Sequence, residues 1–489
     1  MIDFAARSCR YCFAEINGKG QAVMKNLTLE NIAKACGGKL YGDGTDGGEV
    51  TGVTLDSRQA ESGCLFIATR GERVDGHSFI PQALRKGAAG VVCERLPETE
   101  GAEGRFILVE NSFQALKDIA KFYREQLDVT VVGVTGSVGK TSTKECIASV
   151  LSERYCVCKT EGNFNNEVGL PLTVLNIREE HEIAVLEMGI SDFGEMHRLS
   201  EIARPDICVL TNIGQCHLEN LKSREGILRA KTEIFDFMKD DGLACINGDD
   251  DMLETIGEVR GRKPMTFGRR ESNRVYAESV ESRGLFGSRV LVHLDDEEFY
   301  ADVPLPGEHM VYNALAAVSV GSLLGMTAEE MRQGIAKTEA VGGRSRIVET
   351  GEWTVIDDCY NANPVSVRAA IDLLGTALTR KAAVLGDMFE LGEDEKEMHA
   401  GIGAYAAEQG IDVLVFIGSL AEDMYRGAVR TAENLENPPE GVYYFREKQE
   451  FLARQREILR PQDTVLVKAS HGMAFREIVE ALEAGKNEV

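Results

Sequence analysis

The sequence predicts an α/β protein of three domains, and three observations support this fold class. The chain has 489 residues, more than the roughly 250 to 300 at which a single hydrophobic core stops growing. Short apolar segments rich in β-branched residues alternate with helical stretches, which is typical of mostly parallel sheets covered on both faces. One such strand, at 129–136, runs into a glycine-rich loop that opens a helix. We expect a small α/β unit followed by two doubly wound domains.

The first predicted domain, residues 24–112, is the small unit. Its strand-like segments lie at 52–58, 64–70 and 89–94, around a helix at 78–88. The segment GDGTDG at 42–47 matches G-x-G-x-x-G, but a strand-like segment follows it. A dinucleotide site needs a helix there, so we interpret 42–47 as a turn.

The second predicted domain, residues 113–340, contains a mostly parallel sheet. Its apolar strands are expected at 129–136, 182–189, 206–214 and 242–249. Residues 275–303 are more polar and alternate with period two, which predicts an antiparallel appendage.

The third predicted domain, residues 341–489, repeats the alternation of strands and helices. Gly342 and Gly343 lie at the start of this domain, before its first predicted strand, and predict a hinge. Its strands are expected at 353–360, 381–388, 411–418, 441–445 and 464–470.

Residues 1–23 are predicted to be an extension that the fold does not need, because Met24 opens a segment that reads like a native start. Cys9 and Cys12 in this extension form a C-x-x-C pair. No second pair stands at zinc-site spacing, so we expect neither a metal nor a redox role for them.

Composition excludes several classes of function. The formal net charge of −25 argues against a nucleic-acid partner, which needs a basic surface. No apolar run approaches the roughly 20 residues that span a bilayer, and the N-terminus lacks the apolar core of a signal peptide. We expect a cytoplasmic protein without membrane insertion. The oligomeric state stays open, with a monomer as the simplest expectation.

A nucleotide phosphate site is predicted at the glycine-rich loop. Gly136 and Gly139 let backbone N–H groups close around phosphate, Lys140 places a cation on the outer phosphates, and Thr141 offers a hydroxyl to Mg²⁺. The loop departs from G-x-x-x-x-G-K-[ST] because Val134 stands where the first glycine belongs. The predicted ATP-binding loop consists of Thr135, Gly136, Ser137, Val138, Gly139, Lys140 and Thr141.

Two polar residues follow neighbouring strands of this sheet. Glu187 ends one strand, and His217 comes shortly after the next. Doubly wound folds bind ligands at the edge where the carboxyl ends of the strands meet. Glu187 is therefore a candidate Mg²⁺ ligand or water orienter, with a solvated strand-end acid as the alternative. His217 is a candidate for the same site, with a structural histidine as the alternative.

Lys231 lies in the apolar stripe of a predicted helix, between Ile227 and Ile234. Burial of an ammonium is costly and lowers its pKa. One interpretation is a lysine whose charged end reaches solvent. The other is a partly neutral amine that reacts with CO₂ to give a carbamate able to bind Mg²⁺.

Three further residues are candidates for ATP binding. Asn313 stands near the start of a helix of small residues, where its amide could hydrogen-bond an adenine edge or cap the helix. If the third domain folds over the nucleotide, Arg344 could reach the phosphates and Asp358 the ribose hydroxyls.

In combination these motifs resemble the Mur ligases, ATP-dependent enzymes that form peptide bonds in peptidoglycan precursor synthesis. The resemblance covers residues 24–489. It rests on DSR at 56–58, DGHSFIPQALRKGA at 75–88, TGSVGKTSTKE at 135–145, GNFNNEVGLPLTVL at 162–175, EMG at 187–189, REGILRAKTEIF at 224–235 and IDDCYNANP at 356–364. It implies a domain for the UDP end of the substrate, a central ATPase and a mobile Rossmann-like domain.

The resemblance also implies roles for the candidate residues. Lys140, Glu187, His217 and Lys231 match the catalytic positions of the family. Thr141, Glu187 and His217 would serve Mg²⁺, with two ions expected, and Lys231 matches the carbamylated lysine. Asn313, Arg344 and Asp358 match the positions that contact ATP.

Substrate positions follow from the same resemblance. Ser57 and Arg58 match the uridine-nucleotide pocket, Asn165 and Asn166 lie close to the muramoyl-peptide, and Asn361 and Asn363 match positions near an incoming dipeptide. The sequence YNANP at 360–364 is typical of the members that use UDP-N-acetylmuramoyl-tripeptide and D-alanyl-D-alanine, which are the partners expected.

Other readings fit less well. A member that adds the third amino acid to the dipeptide precursor is the main alternative, but no D-x-P-R motif for a diamino acid is present. A folylpolyglutamate synthase-like ligase would lack the DSR domain, and a GTPase switch would need N-K-x-D. Two departures from the family concern His471 in KASHG, where arginine is common, and Met310, where asparagine is common.

Overall fold

Three β-sheets follow one another along this computed structural model, which describes residues 23–42, 48–71, 74–97 and 104–484. The predicted α/β fold class is confirmed. Cys9, Cys12 and most of the predicted turn at 42–47 lie outside the described residues. In the part of the chain that is described, no helix is both long and apolar enough to cross a membrane. The predicted domain boundaries at 112 and 340 stay predictions.

The first sheet is small. Its strands are β1 (Lys39–Tyr41), β2 (Val53–Thr54), β3 (Leu65–Ile67), β4 (Gly90–Cys93) and β5 (Phe106–Leu108). They lie in the order β1-β5-β4-β3-β2, and all neighbours except β1 and β5 are parallel. The associated helices are α1 (Leu29–Ala35), α2 (Ile80–Arg85) and α3 (Ser112–Arg124).

The strand predicted at 52–58 is much shorter than expected, since β2 ends at Thr54. The side chain of Asp56 accepts a hydrogen bond from the backbone N–H of Arg58 at 2.8 Å, and the Asp56 carbonyl accepts one from Gln59 at 2.9 Å. Aspartate side chains favour such turns by replacing a backbone acceptor. The DSR segment is therefore a turn.

The second sheet has nine strands in the order β14-β13-β12-β11-β10-β9-β6-β8-β7. They are β6 (Thr130–Thr135), β7 (Val157–Lys159), β8 (Ile183–Glu187), β9 (Ile207–Leu210), β10 (Leu243–Asn247), β11 (Met265–Gly268), β12 (Val275–Ser282), β13 (Ser288–Leu294) and β14 (Glu297–Val303). Strands β6 to β12 pair in parallel, and β12, β13 and β14 form the predicted antiparallel appendage.

Seven helices accompany this sheet within the described residues. They are α4 (Lys140–Leu151), α5 (Gly169–Val174), α6 (Glu195–Ala203), α7 (Leu218–Leu221), α8 (Arg224–Thr232), α9 (Glu308–Leu323) and α10 (Ala328–Ala336). One buried core contains side chains of β6, α4 and α9, and another joins the opposite face to the first sheet. The sheet is thus covered on both faces, which explains why β8 and β9 are buried throughout and are apolar apart from Glu187 at the end of β8.

The third sheet has the order β15-β16-β20-β17-β18-β19 and is parallel except for β15. Its strands are β15 (Arg346–Glu349), β16 (Thr354–Asp357), β17 (Lys381–Gly386), β18 (Val413–Ile417), β19 (Gly441–Phe445) and β20 (Thr464–Lys468). The helices are α11 (Pro364–Gly375), α12 (Glu395–Glu408), α13 (Ala421–Ala432), α14 (Lys448–Ile458) and α15 (Arg476–Ala484). Separate cores cover its two faces.

Candidate active site

The glycine-rich loop connects β6 to α4. Val134 is completely buried within β6 and belongs to the core, so the chain needs no glycine at that position. Gly139 has a φ of +83° immediately before α4, a conformation that glycine adopts without strain. Strand β6 therefore continues past the position of the first glycine in the standard pattern and ends at Thr135, and the loop begins at Gly136.

Gly136 lies in close contact with the segment that follows β9. A β-carbon at this position would lie 1.9 Å from Thr211 Oγ1. Thr211 cannot easily move away, because its hydroxyl donates to the Val138 carbonyl at 2.7 Å. Only glycine fits at position 136 without displacing the loop.

Gly136→Ala is therefore expected to lower ATP-dependent phosphate release about 10²-fold, the effect of misplacing reacting groups by about 1 Å. Gly214→Ala is the matched control, because its β-carbon would make only an ordinary contact of 3.5 Å with Ser137. Circular dichroism and a phosphate assay on both variants check the prediction. Equal activity of the two variants would contradict it.

The side chains of Thr211 and Asn212 support the loop, although neither was among the predicted residues. Asn212 accepts from the Val138 N–H and donates to the Val138 carbonyl, each at 2.9 Å. Ser137 Oγ accepts from the Gly214 N–H at 2.9 Å. The available signal was their position, since polar residues directly after a buried parallel strand lie at the ligand edge of the sheet.

The side chains predicted to contact phosphate and metal line the cleft but make few hydrogen bonds within the described chain. Within the part of the chain that is described, Lys140 Nζ donates only to the Gly136 carbonyl, at 3.0 Å. The Thr141 hydroxyl is buried and has no hydrogen-bond partner in the described chain. Buried polar atoms normally have partners, so an orphaned one indicates an absent ligand.

Glu187 has the same character. It is 1% exposed at the end of β8. Its Oε1 accepts from Asn165 Nδ2 at 2.7 Å, whereas its Oε2 is buried without a partner in the described residues. Hydroxyl and carboxylate oxygens are ligands that Mg²⁺ prefers, so Thr141 and Glu187 fit such an ion. Among the residues described, no three His, Cys, Asp or Glu side chains are grouped to hold a metal by themselves.

His217 joins the second and third sheets across the predicted hinge. Its Nδ1 lies 2.9 Å from Glu390 Oε2. Burial lowers the pKa of His217, Glu390 raises it, and the positive charges of Lys140 and Lys231 lower it further. The imidazole is therefore close to both lysines as well as to Glu390, which the sequence did not indicate.

Lys231 is 1% exposed on α8, so its charged end does not extend into solvent. Its ammonium forms no hydrogen bond or ion pair with any other described residue. Burial lowers the pKa of Lys231 to about 8, helped by the positive charge of Lys140 and opposed by Cys216. A larger fraction of the Lys231 side chain is thus a neutral amine near neutral pH than in an exposed lysine.

A cleft of about 820 Å³ opens between the second and third sheets. Thirteen of the residues predicted from the sequence line it: Ser137, Val138, Gly139, Lys140, Thr141, Asn165, Asn166, Glu187, His217, Arg344, Asp358, Asn361 and Asn363. Residues from two sheets, far apart in sequence, therefore meet in one place.

Asn313 lies beside this cleft and not in it. It faces a cavity of about 10 Å³ that Met310 also lines. Its Oδ1 accepts from the Thr143 hydroxyl at 2.8 Å, and its Nδ2 lies 3.2 Å from Met310 Sδ. The capping alternative is wrong, because the N-cap residue of α9 is Gly307.

The third sheet contributes an ordered set of contacts around Asp358. The Asp358 carboxylate accepts from Lys468 Nζ at 2.5 Å and from the Ser345 N–H at 2.9 Å. The Arg344 guanidinium lies 4.1 Å from the centre of the Tyr360 ring. Lys468 begins the KASHG segment, so one function of that segment is to hold Asp358 in place.

The residues predicted to bind the dipeptide or the uridine end make hydrogen bonds or ion pairs within their own domains. Asn363 is the N-cap of α11, where its Oδ1 accepts from the Ser366 N–H at 2.9 Å. Asn361 Oδ1 accepts from the adjacent Ala362 N–H at 2.9 Å. In the first domain, Ser57 donates to Gln82 and Arg58 pairs with Asp56, and neither residue lines the cleft.

Comparison with known proteins gives one family along most of the chain. Residues 49–124 match "Mur ligase family, catalytic domain", residues 134–321 match "Mur ligase middle domain" and residues 343–471 match "Mur ligase, glutamate ligase domain". The chain is 38% identical over 462 residues to the UDP-N-acetylmuramoyl-tripeptide–D-alanyl-D-alanine ligase of Bacillus subtilis, covering 94% of this chain and 99% of that relative.

Solved structures agree with the sequence comparison. A crystal structure of MurF from Acinetobacter baumannii has a TM-score of 0.84 at 31% identity and covers 94% of this chain and 100% of its own. MurF ligase from Thermotoga maritima, solved in complex with ADP, has a TM-score of 0.76 at 31% identity and covers 88% and 96%. All three domains therefore have counterparts in one enzyme.

Proposed function

This chain belongs to the Mur ligase family, and on that premise we propose that it joins D-alanyl-D-alanine to UDP-N-acetylmuramoyl-tripeptide with conversion of ATP to ADP and phosphate. The observation that carries the proposal is the cleft between the second and third sheets. It brings the phosphate loop opposite Arg344 and Asp358, as a ligase needs when its third domain closes over ATP.

The chemistry requires activation of a carboxylate. A carboxylate is inert toward amines until one of its oxygens becomes part of a leaving group. The terminal carboxylate of the tripeptide attacks the γ-phosphorus of ATP, and ADP leaves. The dipeptide amine then attacks the acyl carbon, loses a proton and displaces phosphate. Phosphoryl transfer of this kind depends mainly on positioning and neutralisation of charge.

The chain's own residues would divide this work. Lys140 neutralises the outer phosphates, and the loop N–H groups hold them at the start of α4. Arg344 approaches the phosphates from the third domain, and Asp358 binds the ribose hydroxyls. Asn313 is buried beside the cleft, so it would have to release Thr143 to reach the adenine edge. The solved relative with ADP supports nucleotide binding in this family.

Mg²⁺ is the metal that these residues fit, with Thr141, Glu187 and His217 as its protein contacts. When bound, Mg²⁺ neutralises charge on the phosphate oxygens. The support is the pair of buried oxygens without partners on Thr141 and Glu187. His217 would have to release Glu390 to contact the ion.

Lys231 is proposed to carry a carbamate. Its neutral amine attacks CO₂, an N–C bond forms and one proton is released, which turns a buried cation into a carboxylate-like group. Its lowered pKa and its lack of a partner among the described residues support this proposal. The product places negative charge beside Lys140 and His217, where a second Mg²⁺ would fit.

Substrate residues complete the proposal. Ser57 and Arg58 bind the uridine end, Asn165 and Asn166 the muramoyl-peptide, and Asn361 and Asn363 the dipeptide. The Asn165 amide already contacts Glu187, so the peptide carboxylate would arrive beside the metal site. We place the enzyme in the cytoplasm, where ATP and nucleotide-linked sugars are available. We also propose that its three domains span residues 24–112, 113–340 and 341–489.

The decisive experiment measures phosphate release with UDP-N-acetylmuramoyl-tripeptide and ATP while the amine is varied. We expect release with D-alanyl-D-alanine and none with a free diamino acid. Release only when a diamino acid is offered with the dipeptide precursor would instead establish the alternative ligase, which adds the third residue.

A further inference from the structure

A second lysine lies beneath the phosphate loop, and the proposed chemistry does not use it. Lys144 is on α4, one turn after Lys140, and is 1% exposed. Its Nζ donates to the Thr160 carbonyl at 2.5 Å and lies 2.8 Å from Glu145 Oε1. Unlike the ammonium of Lys231, the ammonium of Lys144 therefore has two partners in the described chain.

Stability alone does not account for this arrangement. Burying an ammonium carries a large cost in lost solvation, and apolar replacements of buried ion pairs are often neutral or stabilising. What the pair does provide is a fixed distance, because a charged hydrogen bond holds its partners in one geometry. Lys144 therefore fixes the position of the Thr160 backbone relative to α4.

The residue that Lys144 holds is in contact with the end of β8. Thr160 follows β7, and its N–H donates to the Val185 carbonyl at 3.0 Å. Its hydroxyl oxygen accepts from the backbone N–H of Glu187 at 2.9 Å. Thr160 is completely buried, so its contacts to α4 and to β8 are made by one rigid residue.

Lys144 and Thr160 thus connect helix α4, which bears Thr141, to the end of β8, which bears Glu187. Thr141 lies on α4, three residues before Lys144, and Glu187 lies on the other side of Thr160. Asn165 holds one oxygen of the Glu187 carboxylate at 2.7 Å and leaves the other without a partner in the described chain. Metal sites require their ligands to be held to within about 0.5 Å.

We propose that Lys144 and Thr160 are positioning residues, which set the separation of the Thr141 hydroxyl and the Glu187 carboxylate and thereby the Mg²⁺ affinity of the nucleotide site. This inference rests on the proposed function, in which Thr141 and Glu187 contact Mg²⁺. Neither Lys144 nor Thr160 touches the substrate or the metal.

The test is calorimetric titration of the full-length protein with ADP, with and without Mg²⁺. Wild type is expected to bind ADP more tightly with Mg²⁺. Lys144→Met should leave ADP affinity without Mg²⁺ unchanged and lower the Mg²⁺-dependent gain about tenfold or more, the usual effect of removing a group that orients a metal ligand. Thermal unfolding measured in parallel reports any general destabilisation.

Lys159→Met is the matched control. Lys159 directly precedes Thr160 and pairs with the other oxygen of Glu145, but it is 44% exposed, and it is the ammonium of Lys144, not of Lys159, that donates to the Thr160 carbonyl. It should retain the full Mg²⁺-dependent gain. Thr160→Val and Thr160→Ser form a second pair that does not alter buried charge, and only the valine variant should lose the gain.

The outcomes separate this inference from the proposed function. A Mg²⁺-dependent gain within twofold of wild type in both Lys144→Met and Thr160→Val would overturn the positioning role and leave the metal site intact. If Lys144→Met does not fold, the Thr160 pair decides in the same way. No Mg²⁺-dependent gain in wild type would overturn the proposed metal site, and this inference with it.

Discussion

Replacing Lys231 with alanine is expected to lower phosphate release about 10²- to 10³-fold, the usual cost of removing a preorganised charge from an active site. Short carboxylates such as acetate or formate should restore part of the activity. The alanine variant lacks the Lys231 side chain near Lys140 and His217, and a small carboxylate bound in its place would supply the negative charge that the proposed carbamate would supply in wild type.

The carbamate also predicts a dependence on pH and CO₂. The neutral amine is the form that reacts, and the pKa of Lys231 is lowered to about 8. At constant dissolved CO₂, modification should therefore rise as the pH increases through 8 and fall below it. Labelled CO₂ and carbon-13 NMR would detect the carbamate without any assay of activity.

Lys239→Ala is the control for this experiment. Lys239 lies eight residues after Lys231, is 47% exposed and pairs with Asp206. The Lys239→Ala enzyme should therefore keep its activity and should not respond to acetate. A Lys231→Ala enzyme with full activity, or wild type without a carbamate resonance, would refute the modification.

Much of the fold was predictable because burial imposes a simple pattern on the sequence. β8 and β18 are buried along their whole length, and strands of this kind stand out as continuous apolar runs. The alternation at 275–303 predicted the antiparallel β12, β13 and β14 for the opposite reason, because one side of each strand faces solvent. By contrast, β2 was overestimated because the side chain of Asp56 ends it locally.

The site was predictable as far as strand order determines it. Glu187 and His217 line one cleft, as predicted from parallel strands that direct their carboxyl ends to one edge. Lys231 is a candidate because a lysine interrupts an apolar stripe. The contacts that complete the site join residues with no sequence relation. Glu390 reaches His217 only when the third sheet lies over the second, and Lys144 reaches Thr160 through the fold.

Lys140→Met is expected to lower phosphate release about 10³-fold, at the upper end of the usual range for a preorganised charge, without unfolding the protein. Among the described residues, Lys140 Nζ donates only to the Gly136 carbonyl, so its removal breaks no ion pair there. The loop N–H groups would remain, and ADP should still bind, with lower affinity. Phosphate release and ADP titration measure the two effects separately. Lys337→Met, an exposed lysine paired with Glu153 in the same domain, is the control.

This variant should also change the chemistry of Lys231, which gives a readout independent of catalysis. The charge of Lys140 helps to lower the pKa of Lys231, so removing it should move that pKa upward. Carbamate formation at constant CO₂ would then require a higher pH than in wild type. Because the two lysines interact, effects of the single substitutions should not add in the double variant. An unchanged pH profile in Lys140→Met would show that the two charges do not interact.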